Sequence, residues 1–469
     1  MDIELLLTQP ESKILEFKQD LSSLKPILKT IVAFANTAGG TLIVGYSPEK
    51  GVIGIPDFLR AEESLTSAIY DSIFPDMQPE IDIKSIGGKS LLIIRVAHQR
   101  GPFFLKSEGS TEGVYMRFGS SSRKAGLEFL ADITRHTGNL SFDQLPCANL
   151  KPDDLDSNRI ANFMKQINKT GDEMSFLKTL GILTAVSKRL VPSNGGIILF
   201  GTNEAREHYF PDACISCARF KGVDKSQFID RQDIDGSIIE AIEPTLKFIM
   251  RNTRLGGIIR SLKREDIQEY PEVPLREVLL NAIAHGNYSI SGRIFVSIFD
   301  DRLEIQSPGM LPYGMTLEDF KSGISHIRNR VIARVLRELG LIEEWGSGYN
   351  RITTYCQEYG YPLPEWQEFG AAVRVTFRPH SSFEEAIISV IEQPTERFQH
   401  LTQRQEEIIS ILAHEDALKS EDILAKLKYK PASRTLRDDL LSLKHKGFID
   451  TKGSARSTVW FLVRTPPHQ

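Results

Sequence analysis

Apolar and polar positions along the chain change period several times, and each period predicts an element. In SLKPILKTIVAFANTAGG, Ile27, Ile31 and Phe34 recur at spacings of three and four, which predicts an amphipathic helix closed at Gly39-Gly40. TLIVGYS and SLLIIRVA predict strands, and GVYMRFGSSSRKAG predicts a strand followed by a small-residue loop. Residues 1 to about 135 therefore alternate in α/β style. Further on, GGIILFG and CISCARF predict strands among helices. REVLLNAIAHGNYS predicts a buried helix with Val278, Leu279, Ala282 and Ile283 on one stripe. After it come strands RIFVSIF and RLEIQS, a Gly/Pro loop, helix IRNRVIARVLRELG, a second glycine loop and strand AAVRVTF. RPHSSFEEAIISVIEQPTERFQH reads as a linker with one short helix. The last segment predicts three helices. The first turns Ile408, Ile409 and Leu412 inward, the second has Ser420 as N-cap, and the third carries Leu436, Leu440 and Leu443 on one stripe. A strand, polar turn and strand, GFIDTKGSARSTVWFL, close the pattern. No internal repeat or low-complexity tract interrupts it.

Composition adds limits. A chain of 469 residues predicts two to four domains. The patterning places them at 1–135, 136–270 (a connecting α/β region), 271–380 and 401–469, with a linker at 381–400. The fold class is α/β (α+β) multidomain. With 41% hydrophobic and 25% charged residues the chain reads as ordinary globular protein, and a net charge of −4 names no partner. Cys147, Cys214, Cys217 and Cys356 form no disulfide framework, and Cys214-x-x-Cys217 lies in a strand pattern that turns the two thiols to opposite faces. The acidic start, MDIELLLTQPESK, does not read as a secretory signal, and no apolar run is long enough to span a bilayer. A cytoplasmic protein with no membrane partner is expected.

The first candidate chemistry lies on the helix of residues 276–289, where polar Glu277, Asn281 and His285 recur every fourth residue on one face. Asn281 offers a neutral oxygen suited to a magnesium ion carrying phosphates, and Glu277 could take a proton from attacking water. Downstream, SPGMLPYG and EWGSGYNRI supply glycines that let backbone N–H groups approach phosphates. In their order, REVLLNAIAHGNYS, SPGMLP and RVLRELGLIEEWGSGYNRI resemble the GHKL superfamily of gyrase-type ATPases, Hsp90-like chaperones and histidine kinases. The resemblance implies a two-layer α/β sandwich, ATP and Mg2+ as cofactors, Asn281 as metal ligand and Glu277 as water-activating base. It also implies Gly309, Gly346 and Gly348 as lid and phosphate-loop glycines. Ser307-Pro308 stands where that superfamily usually places an adenine-binding Asp.

A second candidate opens the chain. Glu11 and Glu16 in ESKILEFK could share a metal if the backbone brings them together. With ILKTIVAFANTAGGTLIVGYS and GPFFLK…GVYMRFGSSSRKA, this block resembles the Schlafen AlbA-type domain across about residues 8 to 128. The resemblance implies nucleic-acid binding, DNA or RNA, and matches Glu11 and Glu16 to two nuclease carboxylates. Tyr46-Ser47-Pro48 replaces the third, with Glu49 the nearest acid, so binding with little or no cleavage is expected. Lys106, Arg117, Ser120, Ser121, Ser122, Arg123 and Lys124 are the candidate nucleic-acid contacts.

The C-terminal pattern of helix, helix, helix and hairpin predicts a winged helix-turn-helix. From Lys426 to Arg464 it holds ten Lys/Arg against three Asp/Glu, a local balance of +7 in a net-acidic chain. Arg434, Thr435 and Arg437 are expected at base edges of duplex DNA, and Lys452 and Arg456 at phosphate. The whole reads as a nucleotide-responsive DNA-binding transcriptional regulator that forms a homo-oligomer. The alternatives are an ATP-gated Schlafen-like nuclease acting on RNA or single-stranded DNA, in defence against foreign nucleic acid, and a scaffold with an inactive ATP site.

Overall fold

A computed structural model describes residues 3–260, 263–312, 314–343, 348–369, 371–383, 402–413, 417–445, 448–452 and 459–462. The chain divides into two compact units, Met1–Ser381 and Ser382–Gln469. Within the predicted linker, residues 384–400 lie outside the described residues.

After a short helix, Ile3–Leu7, the first unit builds a four-stranded sheet. Strand β1 (Leu15–Lys18) runs parallel to β2 (Gly40–Val44), β2 is antiparallel to β4 (Lys89–Val96), and β4 to β3 (Glu80–Ile86). The predicted amphipathic helix is α1 (Leu24–Asn36), with Ile27, Ile31 and Phe34 almost wholly buried. It stops where expected: Gly39, at φ +74°, sits so close to Val96 that a Cβ would lie 2.7 Å from the Val96 carbonyl oxygen. Helix α2 (Phe58–Ser72) packs beside α1. The segment expected as a small-residue loop is instead a return strand. Ser121–Lys124 (β6) pairs antiparallel with Tyr115–Phe118 (β5), and only Gly119-Ser120 makes the turn. Strand-strand hydrogen bonds there override the weak β-propensity of Ser and Lys. Helix α3 (Leu127–Thr137) follows.

The second correction concerns GGIILFG. Residues Asn194–Phe200 form a helix, α4, not a strand. Ser193 caps it, its Oγ accepting from Gly196 N at 3.0 Å, and every residue from 194 to 200 is buried. A helix buried on all sides shows no period, so a short apolar run of this kind does not distinguish helix from strand.

The larger sheet has six strands in the order β8–β7–β9–β10–β12–β11. These are β7 (Ile215–Phe220), β8 (Phe228–Ile234), β9 (Ile294–Ile298), β10 (Leu303–Pro308), β11 (Glu365–Phe369) and β12 (Ala372–Phe377). The β7–β9 pair is parallel and the others are antiparallel. Strands β7 and β8 come from the region taken as a connector, so a boundary at residue 270 cuts through this sheet. One hydrophobic core runs without a break from Cys147 to Phe377. Cys217 is buried on β7 and Cys214, the residue just before that strand, is half-buried, both as free thiols. Helices α5 (Ile242–Arg251), α6 (Glu272–His285), α7 (Leu317–Lys321), α8 (Arg330–Glu338) and α9 (Gly348–Tyr359) belong to this region, as do the earlier helices Ser157–Gln166, Glu173–Leu180 and Asn203–Tyr209. Val278, Leu279 and Ile283 of α6 are buried in this core, as the sequence pattern requires.

The second unit has α10 (Gln403–Ala413), α11 (Ser420–Lys426), α12 (Ser433–His445) and an antiparallel pair, β13 (Ile449–Lys452) and β14 (Val459–Leu462). Ile408, Leu412, Leu436, Leu440 and Leu443 share one core. Ser420 is not the N-cap: the helix begins at it, and its Oγ accepts from Trp460 Nε1 at 3.0 Å.

Candidate functional site

Helix α6 presents the first candidate site. Glu277 is 8% exposed, and its Oε1 accepts from the Arg351 guanidinium of α9. Arg351 also pairs with Glu343 at 2.9 Å. A Cβ added to Gly348, the first residue of α9, would lie 3.6 Å from Asn281 Nδ2 and 3.7 Å from Glu277 Oε2. Three of the residues expected to work together, Glu277, Asn281 and Gly348, thus meet at one place. Gly346 lies outside the described residues. Asn281 is half-buried, and its carboxamide makes no hydrogen bond among the described residues, which leaves it available to a ligand. Burial, with the Arg328 guanidinium nearby, pushes His285 down to about 4, so it is neutral at pH 7.

Two cavities flank this cluster and share Asn281, His285, Ser325 and Gly348 in their walls. The first is apolar and spans about 880 Å³, its open mouth included, between Val278, Ile305 and Val375 and a covering segment that carries Met310, Met315 and Phe320. Phe320, Tyr349 and Trp366 form an aromatic trio there, with ring centroids 5.2–5.7 Å apart. Ser307 also faces this cavity. The second spans about 610 Å³ and is walled by Glu277, Arg337, Glu343 and Arg351. An apolar half suited to a flat ring thus adjoins a polar half with two guanidinium and two carboxylate groups, a mix of apolar wall and a few polar groups that suits a small ligand. Gly309, at φ +94°, opens the covering segment; a Cβ there would come within 2.6–2.7 Å of Asn287 and Arg328.

In the first domain, Glu11 is exposed and folds back on β1, its Oε1 accepting from Phe17 N at 2.9 Å. Glu16 is buried among Arg117, Lys18 and Thr30 Oγ1, the last at 3.2 Å. Glu49 lies exposed on the turn between Tyr46-Ser47 and Gly51-Val52. Among the described residues, no group of three or more His, Cys, Asp or Glu could hold a metal ion. Arg117 is corrected from a surface contact to an internal one. It is fully buried, donates to Ser122 Oγ at 3.0 Å and Ser12 O at 2.7 Å besides Glu16, and stacks 5.0 Å from the Phe34 ring. Lys106, Arg123 and Lys124 are exposed, Ser121 and Ser122 half-buried. Lys124 pairs with Glu112 at 3.0 Å, and Lys106 donates to Tyr70 O at 2.9 Å.

In the second unit, Arg434 and Arg437 are exposed on α12, Thr435 is half-buried beside them, and Lys452 is exposed at the end of β13. Arg456 lies outside the described residues. Buried Asp439 accepts from Arg404 Nε at 2.5 Å and Gln405 Nε2 at 3.1 Å, which ties α12 to α10. Arg351 and Arg337 are the site residues that sequence reading missed. Arg351 falls one turn into the helix after Gly348, a spacing that could have flagged it.

Residues 11–126 match the Schlafen AlbA_2 family model, and residues 292–377 match the model described as "Putative ATP-dependent DNA helicase recG C-terminal". The chain therefore carries a Schlafen AlbA_2 domain and an ATPase-like domain of the RecG C-terminal type; helix α6 precedes the second match. Among solved structures, the DIP2311 protein from Corynebacterium diphtheriae is 21% identical at TM-score 0.43, with 98% of this chain and 96% of that one covered. The N-terminal domain of a RecG-related protein from Nitrosomonas europaea is 27% identical at TM-score 0.21, with 27% of this chain and 90% of that one covered. No curated protein matches the chain. No helix among the described residues is long and apolar enough to cross a membrane.

Proposed function

We propose that this chain, which joins a Schlafen AlbA_2 domain to a RecG-type ATPase-like domain, is a nucleotide-responsive DNA-binding regulator. The observation that carries the reading is the paired cavity beside Asn281, apolar on one side and lined on the other by two guanidinium groups and two carboxylates. ATP would place its base among Val278, Ile305 and Val375 and its phosphates toward Gly348 and the two arginines. Asn281 would hold the Mg2+ that carries those phosphates. Ser307 would offer the base a hydroxyl that both donates and accepts, so base selectivity should be looser than a carboxylate gives. The second unit, with Arg434, Thr435, Arg437 and Lys452 on a winged helix, would bind duplex DNA. Lys106, Ser121, Arg123 and Lys124 would add contacts from the AlbA_2 domain. The nuclease reading is less favoured, because the Glu16 carboxylate is already committed to Arg117, Lys18 and Thr30.

The test is calorimetry of the full chain with ATP and Mg2+, with Trp366 fluorescence as a second readout because its ring lines the apolar cavity. Saturable binding, lost in Asn281→Ala when Mg2+ is present, is expected. Absence of heat and of any fluorescence change would remove the nucleotide reading. Duplex binding should fall steeply with salt, as counterions are released, and should weaken sharply on deletion of residues 400–469.

A further inference from the structure

The carboxylate of Glu277 lies in the charged half of the cleft, on the Arg351 guanidinium. Its second oxygen lies beside Gly348, against which Asn281 Nδ2 also rests. The spot that a phosphate would need is thus held by a side-chain anion. We propose that Arg351 is the phosphate-binding cation of this site, and that Glu277 is a resident anion that a nucleotide's phosphates displace from it. The inference rests on the nucleotide reading above and deepens it.

The chemistry favours the exchange. A guanidinium is planar, always charged, and presents paired N–H donors that match a phosphate as well as a carboxylate. A triphosphate carries several charges against one on Glu277, so it competes well for the same donors. Arg351 keeps Glu343 as a partner at 2.9 Å on its other nitrogen, which would hold the side chain in place while Nη2 changes partner. The side chain of Arg351 is 39% exposed, so its head has room to move, whereas that of Glu277 is 11% exposed and stays in the wall. Displacement would leave Glu277 ionised and unpaired beside Asn281. A phosphate-free site therefore neutralises its own acid, and a filled one releases it.

A rival account is that Arg351 only screens Glu277, so that the cleft does not repel phosphates. The two separate in a double-variant cycle on the full chain, read by calorimetry with Mg-ATP and with inorganic tripolyphosphate. Arg351→Gln should weaken both ligands by on the order of tenfold or more, the scale of a lost charge-assisted bond. Adenosine, which lacks phosphate, should bind unchanged. The Glu277→Gln/Arg351→Gln double variant should remain weak, because the direct cation is still missing. Recovery of wild-type affinity in the double variant would overturn the inference in favour of screening, and an Arg351→Gln affinity equal to wild type would overturn it and the screening account alike. If Arg351→Gln fails to fold, Arg351→Lys serves: it keeps the charge, loses the paired geometry, and should weaken tripolyphosphate by a few-fold. Wild-type protein that binds neither ATP nor tripolyphosphate would end the nucleotide reading itself, and this inference with it.

Discussion

Arg117 and Glu16 lie 101 residues apart in sequence and form one buried ion pair in the first domain. Both had the residue type expected of a functional surface, and burial changes what they do. A fully buried guanidinium is stable only while its partners remain, and breaking one side of such a pair costs about 3–5 kcal/mol. Arg117→Ala should therefore lower the chemical-denaturation free energy of residues 1–381 by roughly that amount. Exposed Arg123 differs: Arg123→Ala should leave the denaturation midpoint unchanged and weaken nucleic-acid binding at low salt. An Arg117→Ala protein as stable as wild type but unable to bind nucleic acid would reverse the assignment. Sequence could not separate these two arginines, because both belong to the same basic, small-residue stretch. Only the pairing of Ser122 with Arg117 in the β5–β6 hairpin turns one inward.

Elements were legible where one face alone is buried. Helices α1 and α12 each show a clean apolar stripe, and strands β9, β10 and β12 carry the apolar runs expected of a sheet within a core. Legibility failed where burial is complete, as in α4, and where the partner is remote. The clearest remote case is the N-terminus of α8. Asp143 receives Arg330 N at 3.1 Å, Val331 N at 2.7 Å and Ile332 N at 2.9 Å, and Ser141 donates to the same carboxylate. It is a helix cap supplied from 187–189 residues earlier in the chain. No local pattern announces it, since Asn329, the residue at the cap position, makes no side-chain cap bond. Asp143→Ala would leave three N–H groups without an acceptor in a buried place. The expected cost is about 2 kcal/mol or more, above the usual exposed cap. Hydrogen exchange should show the first turn of α8 losing protection first. Equal protection in wild type and variant would mean that solvent satisfies those groups. The cluster of Glu277, Asn281 and Gly348 was legible because i, i+4 spacing and a glycine before a helix are local signals; Arg337, on a different helix, was not.

At the scale of the first unit, the segment covering the apolar cavity also touches the AlbA_2 domain. Glu368 of β11 accepts Leu311 N from that segment at 2.8 Å and Lys13 Nζ from the AlbA_2 domain at 2.8 and 2.9 Å. Gly314 N donates to Thr37 O, at the end of α1, at 2.8 Å, and Gly314 packs so tightly on His98 that a Cβ would lie 2.4 Å from its ring. Lys13 sits between Glu11 and Glu16, so one carboxylate joins the cavity cover to the segment leading into β1. If ATP resettles this cover, Lys13 and Thr37 must respond, and binding at one site becomes linked to binding at the other. The affinity of the full chain for nucleic acid should then change with saturating Mg-ATP by a factor between about 5 and 150, with nucleic acid changing ATP affinity by the same factor. Glu368→Ala removes the shared acceptor while leaving the cavity wall and the exposed basic residues in place. It should bring that factor close to one, with each ligand's separate affinity within about threefold of wild type, since a partly exposed ion pair contributes little by itself. Lys13→Ala should do the same from the other side, and the double variant should be no worse than either single one. A coupling factor that survives both substitutions would mean that the two domains communicate by another route.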